Sequence, residues 1–192
     1  PEVGHGKRED SSSKKRRMLP QFEKKLNSMD QSLAQMIAFL DQMKADQLHN
    51  KPNGKWSAAQ VFEHLNDSEK GTTGYLNKKL QAPPGDVPSG GIRAAIRSMV
   101  LRRALRSRKN QFRAPKVLSE ISENPDYTVL KESYLNTRKE MRNILSGIDS
   151  KRSSKEYFKH PRAGRLNIGQ TLGFLKDHFD RHFDQIKART RN

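Results

Sequence analysis

Trp56-Ser57-Ala58-Ala59-Gln60-Val61-Phe62-Glu63-His64-Leu65 reads as the opening of a helix with one buried face. Ser57 is a good N-cap, and Gln60 stands three residues on, the spacing at which cap and third helical residue satisfy each other's backbone amides. Trp56 before the cap and Val61 at the fourth helical position have the spacing of a hydrophobic staple. Ala58, Val61, Leu65 and then Tyr75-Leu76 carry the apolar face onward until Pro83-Pro84-Gly85 stops it.

The same period of about 3.6 recurs on both sides of this stretch. Upstream, Leu26, Met29, Leu33, Met36, Ile37, Leu40 and Met43 predict a first helix from about residue 20 to 46, with Pro20 suited to its first turn and His49 to Gly54 as the break. Downstream, Tyr127, Leu130, Tyr134, Met141, Ile144, Leu145 and Ile148 mark a third long helix. Asn167 and Gln170 repeat the cap spacing, and Ile168, Leu172, Leu175, Phe179 and Ile186 carry a fourth. No alternating strand pattern is visible. The expected fold is all-α, a four-helix bundle with an extra basic helix in the long second-to-third connection.

That connection concentrates the charge. The 192 residues carry 38 Lys+Arg against 21 Asp+Glu, a net +17, and no acidic residue occurs between Val87 and Ser119. Nine basic residues lie there, among them Arg93, Arg97, Arg102, Arg103, Arg106 and Lys109. Ile92, Ile96, Met99, Val100 and Leu105 recur at helical spacing between them, so the segment reads as a basic amphipathic helix. Arg97, Arg102, Arg103 and Arg106 are candidate anion-binding residues for an anionic substrate, nucleic-acid phosphates or an anionic membrane surface, set against a plain solvated face. With Phe112 the one aromatic residue in the segment, stacking on single strands is poorly supported. Residues 1–18, rich in serine and basic side chains, read as a disordered tail ahead of a domain spanning 19–190.

Composition excludes several chemistries. The chain has no cysteine, hence no disulfide framework, thiolate metal site or cysteine nucleophile of its own. No apolar run approaches the roughly 20 residues that span a bilayer. A cytoplasmic setting is the expectation.

Three of the six histidines fall on buried faces. His178 and His182, four apart, stack on the face that also carries Thr171, Leu175 and Ile186. His64 follows Val61 by three and precedes Leu65. An i,i+4 pair with a third imidazole from a facing helix suits a divalent metal and leaves a coordination position open. Histidines hydrogen-bonded within a core have the same spacing, and both readings stand at this point. Asp67, one turn from His64, is the best acidic candidate to orient a ligand; Glu63 and Asp177 read as surface partners for arginines, and His160 as a loop residue.

Beyond the spacing, residues 56–65 resemble the W-S-x-x-x-x-x-x-H-L signature of the DinB-like, or YfiT-like, superfamily. His160-Pro161-Arg162-Ala163-Gly164-Arg165-Leu166-Asn167 resembles its H-P-x-x-G-x-L-T loop with Asn for Thr, and Thr171 to Ile186 its closing H-x-x-x-H-x-x-Q-I helix. The resemblance runs from about residue 20 to 188. It implies an up-down-down-up bundle, often homodimeric, with a divalent metal on His64, His178 and His182; imidazole ligands suit Zn or Ni. It also implies a metal-dependent transferase or hydrolase acting with a small-molecule thiol or water. The different expectation is a non-catalytic protein that uses its basic helix on an anionic partner.

Overall fold

The structure, a computed structural model, describes residues 17–81, 87–107, 121–160 and 163–189. The expected tail lies outside these except for Arg17 and Met18, as do Pro83-Pro84-Gly85, Lys109 and Phe112. The described residues are mostly helical: α1 (Pro20–Leu40), α2 (Ala45–His49), α3 (Ala58–Gln81), α4 (Ile92–Arg106), α5 (Tyr127–Ser146), α6 (Ser150–Ser153) and α7 (Ile168–Arg189). A 3₁₀ turn covers Pro52–Gly54.

Both long helices that carry histidines start as their sequences dictate. The Gln60 amide donates to Ser57 Oγ at 3.2 Å and the Ser57 amide to Gln60 Oε1 at 3.0 Å. Asn167 and Gln170 make the same reciprocal pair, at 2.8 and 3.0 Å. Two donors that a helix end otherwise leaves unpaired are thus satisfied at each start.

The first helix ends earlier than its periodicity suggests. α1 stops at Leu40, where the Met43 amide bonds back to the Leu40 carbonyl in a tight turn, and α2 begins after the Lys44 amide meets Gln47 Oε1. Met43 still packs against the core, so the apolar stripe runs on through a turn.

Two clusters form the core. One gathers Phe22, Leu26, Met29, Leu76, Leu80, Met141, Leu145, Ile168 and Leu172. The other gathers Leu33, Met36, Leu40, Val61, Phe62, Leu65, Tyr134, Phe179 and Phe183. Both draw on α1, α3, α5 and α7.

Between them runs a polar layer that sequence patterning did not single out. Arg138 of α5 donates from Nε and Nη2 to the Glu69 carboxylate of α3 at 2.6 and 2.8 Å, and both side chains are buried. Tyr134 Oη donates to the same carboxylate at 3.1 Å, and Arg138 Nη1 reaches Asp30 of α1 at 2.9 Å. One guanidinium therefore joins three helices. Burial pushes the Tyr134 hydroxyl well above its ordinary range, with the Glu69 charge adding to it, so the phenol stays a donor.

Two features go beyond the expectations. Phe158–His160 (β1) and Gly164–Leu166 (β2) pair antiparallel, Phe158 opposite Leu166 and His160 opposite Gly164. Three-residue strands are too short to show an alternation. Gly164 takes φ +71 at the turn, where a side chain would be strained.

The second concerns α4. Leu101 and Leu105 are buried, but Ile92, Ile96, Met99 and Val100 are 80%, 51%, 63% and 59% exposed. The arginines do the inward work. Arg102 Nε donates to Asp177 Oδ2 at 2.5 Å and Arg106 Nε to Asp177 Oδ1 at 3.0 Å, while Arg97 donates to the carbonyls of Ala163 and Arg165 and lies 3.8 Å from Glu156. A Cβ at Gly173 would stand 3.1 Å from the Arg102 guanidinium, so the missing side chain is what lets that arginine lie across α7. The packing of Leu101 and Leu105 on Ala163 and Leu166 and the arginine pairs together orient this helix.

Replacing Arg138 with Met leaves the Glu69 carboxylate buried without its partner and should destabilise the fold by about 3–5 kcal/mol. Adding Glu69→Gln should recover most of that loss, measured as a double-mutant cycle from denaturant midpoints. Additive losses would show that the pair is not coupled.

Candidate metal centre

His64 sits two turns into α3, and the Ser57–Gln60 cap fixes the rotation of that helix. His178 and His182 face it from α7, one above the other. His64 is buried and the other two are half-buried. Their Nε2 atoms converge: His178 Nε2 lies 3.3 Å from His64 Nε2 and 3.1 Å from His182 Nε2, and the three possible donor atoms all lie within 4.8 Å of one another. The rings meet edge to face, with centroids 4.6 to 5.2 Å apart.

Hydrogen bonding alone cannot satisfy this arrangement. A ring nitrogen offers one in-plane proton or one lone pair, so His178 Nε2 cannot serve two neighbours at once. A cation at the point of convergence takes all three lone pairs together. At Zn–N distances of about 2.0–2.1 Å, two nitrogens of a tetrahedral site are ~3.3–3.4 Å apart, close to the observed spacing. The donor set fits a borderline ion such as Zn²⁺ or Ni²⁺.

The electrostatics agree. Burial, followed by the charges of His182 and His64, holds His178 well below the usual imidazole range. Burial and then His64 push His182 down to about 3, with Gln185 acting in the opposite direction. Both rings are thus neutral, the form that ligates.

Aromatic rings pack on two sides of the cluster. Trp56 lies against His64 at 5.1 Å between centroids, and Phe174 stacks on His178 at 5.7 Å. His160 packs edge-on against the same phenyl group, at 4.6 Å, and its Nδ1 accepts the Ala163 amide at 3.0 Å. It is therefore a half-buried member of β1 beside the cluster and not a loop residue apart from it. The H-P-x-x-G spacing in the sequence was the available signal.

A model of the DinB superfamily matches residues 28–186. The chain belongs to that superfamily. No protein of curated function and no solved structure matches it. In this DinB-superfamily chain the three histidines singled out from spacing come together, and the other candidates go elsewhere.

Asp67 is half-buried with Glu63 and Lys70 as its charged neighbours; burial and then Glu63 raise its pKa. Glu63 is buried, not a surface partner of arginine: the Ser122 amide donates to its Oε2 at 2.9 Å and the Ser122 hydroxyl to its Oε1 at 2.5 Å. Asp177 does pair with arginines, but as a buried carboxylate. Arg97, Arg102 and Arg106 are engaged within the protein, and Arg103 is exposed.

A cavity of about 430 Å³ lies at the same end of α3 and α7, walled by Phe39, Met43, Gln47, Trp56, Ile186 and Arg189. Trp56 belongs both to its wall and to the surroundings of His64. Arg189 Nη1 donates to the Trp56 carbonyl at 2.7 Å, which fixes that corner.

Because the folded protein keeps His178 and His182 neutral while an unfolded chain protonates them near pH 6.5, unfolding takes up protons on acidification. Metal-free protein should be at full stability above pH 6.5 and lose it progressively as the pH falls toward about 3. Calorimetry should show a shallower acid slope for His178→Leu/His182→Leu. An identical slope would mean that these imidazoles are not held neutral.

Proposed function

We propose that the chain holds one divalent metal, Zn²⁺ or Ni²⁺, on His64, His178 and His182, and works as a metal-dependent transferase or hydrolase on a small molecule. The observation that carries this reading is the convergence of three Nε2 atoms, at 3.1 and 3.3 Å, in a member of the DinB superfamily. An ion held by three imidazoles lowers the pKa of a thiol or water at its remaining position and acts as a Lewis acid.

The chain's own residues supply the setting. Phe174 and Trp56 fix the ring planes of His178 and His64 and keep polar side chains from those faces. With no cysteine in the sequence, a thiol nucleophile has to arrive as a cosubstrate. The cavity beside Trp56 has room for a small molecule, and Gln47 and Arg189 give its wall polar groups. The cytoplasm, with its pool of low-molecular-weight thiols, is the setting of this reading; a homodimer is its assembly.

The reading takes α1, α3, α5 and α7 as the up-down-down-up bundle of the family. Contacts in support ascend together between α3 and α5 (Phe62 with Tyr127, Glu69 with Arg138) and between α1 and α7 (Lys25 with Gly169, Phe39 with Phe183). They run oppositely between α1 and α5 (Asp30 with Arg142, Asp41 with Tyr127).

Elemental analysis of protein purified without a metal-affinity tag should find about one equivalent of Zn or Ni. His178→Ala/His182→Ala should lose it, along with any thiol-transfer or hydrolytic activity found by screening. No metal in the parent after dialysis against several divalent ions would sink the proposal.

A further inference from the structure

The exposed face of α4 matches no need of the site described above. Ile92, Ile96, Met99 and Val100 are spaced i, i+4, i+7 and i+8, so they form one stripe, and all four point outward. Arg103 continues the same face one turn on; Arg93 flanks it, and Arg106 lies at its other edge with its side chain mostly exposed. No acidic residue lies between Val87 and Ser119. Four large apolar side chains left in water on a single helix are uncommon without a partner.

The charge decides among partners. A second copy docking through this face would set Arg93 and Arg103 against their own like, on a chain of net charge +17. Nucleic-acid phosphates would use the arginines but leave the apolar stripe without a role. An anionic bilayer surface uses both: apolar side chains enter the headgroup–acyl boundary while flanking arginines reach the phosphates. α4 is also packed on the outside of α7, where nothing described shields it. We infer that the outward face of α4 docks the protein on an anionic lipid surface.

This docking is independent of the histidine cluster, because Asp177, Arg102 and Arg106 hold α4 in place whether or not a metal is bound. The bilayer is touched, not crossed, and no described helix is long and apolar enough to span one.

The test is co-sedimentation of the full chain with phosphatidylcholine vesicles and with equimolar phosphatidylcholine–phosphatidylserine vesicles. Binding is expected to the second kind only. Ile96→Ser/Met99→Ser should weaken it by more than about tenfold, since each apolar carbon withdrawn from water contributes. The thermal midpoint should not change, because both side chains are already exposed. Ile92→Ser/Val100→Ser should behave alike and guards against one pair misfolding.

Failure to bind the anionic vesicles would overturn the inference. So would serine variants that bind as tightly as the parent, which would reduce the effect to adhesion by net charge. Binding to polyglutamate without binding to vesicles would likewise overturn it, in favour of an acidic protein partner.

Discussion

The Glu69–Arg138 pair is the constraint on which the rest of the molecule hangs. It is a buried, two-pronged ion pair across α3 and α5, and Asp30 brings α1 to the same guanidinium. A charge taken out of water is tolerated only where its partners are geometrically exact, so the pair admits one axial register of α3 against α5. That register sets the height of His64, five residues before Glu69 on the same helix. Tyr134 closes the remaining gap and packs on Phe62, tying the polar layer to the apolar one beneath it.

α7 is held differently. Toward the core it offers Leu172, Leu175, Phe179, Phe183 and Ile186; toward α4 it offers Gly173, Asp177 and Arg181. The histidines lie between these two attachments. An ion gathered by them would bridge α3 and α7 at a level where the described residues provide no ion pair between the two helices. The amount of apolar packing above and below makes such a bridge a local refinement of the fold and not its cause.

What could be read in the sequence was local or periodic. The Ser57–Gln60 and Asn167–Gln170 caps are written within four residues, and the structure makes both. The histidines were legible because an i,i+4 pair within an apolar stripe leaves little choice of direction. The Glu69–Arg138 pair had a fainter signal: each interrupts an apolar stripe, Arg138 falling between Tyr134 and Met141. The orientation of α4 had none. Both its faces carry apolar and basic residues, and the choice is made by distant partners: Asp177, 75 positions from Arg102 in the chain, and Ala163 and Leu166, which receive Leu101 and Leu105. The early end of α1 was hidden for a related reason, since Met43 keeps the helical spacing while leaving the helix.

One consequence of the α4 attachment is mechanical. Asp177 and Arg181 are themselves four apart, so α7 carries a second ladder offset by one residue from His178 and His182. Arg181 donates to the Leu105 and Ser107 carbonyls just as Asp177 accepts from Arg102 and Arg106. With Asp177 and Arg181 both attached to the α4 segment, a roll of α7 about its axis that moved the imidazoles would also strip the contacts behind them. These contacts resist rotation of the backbone under the histidines, so adjustment at the cluster falls first to the χ angles of the imidazoles.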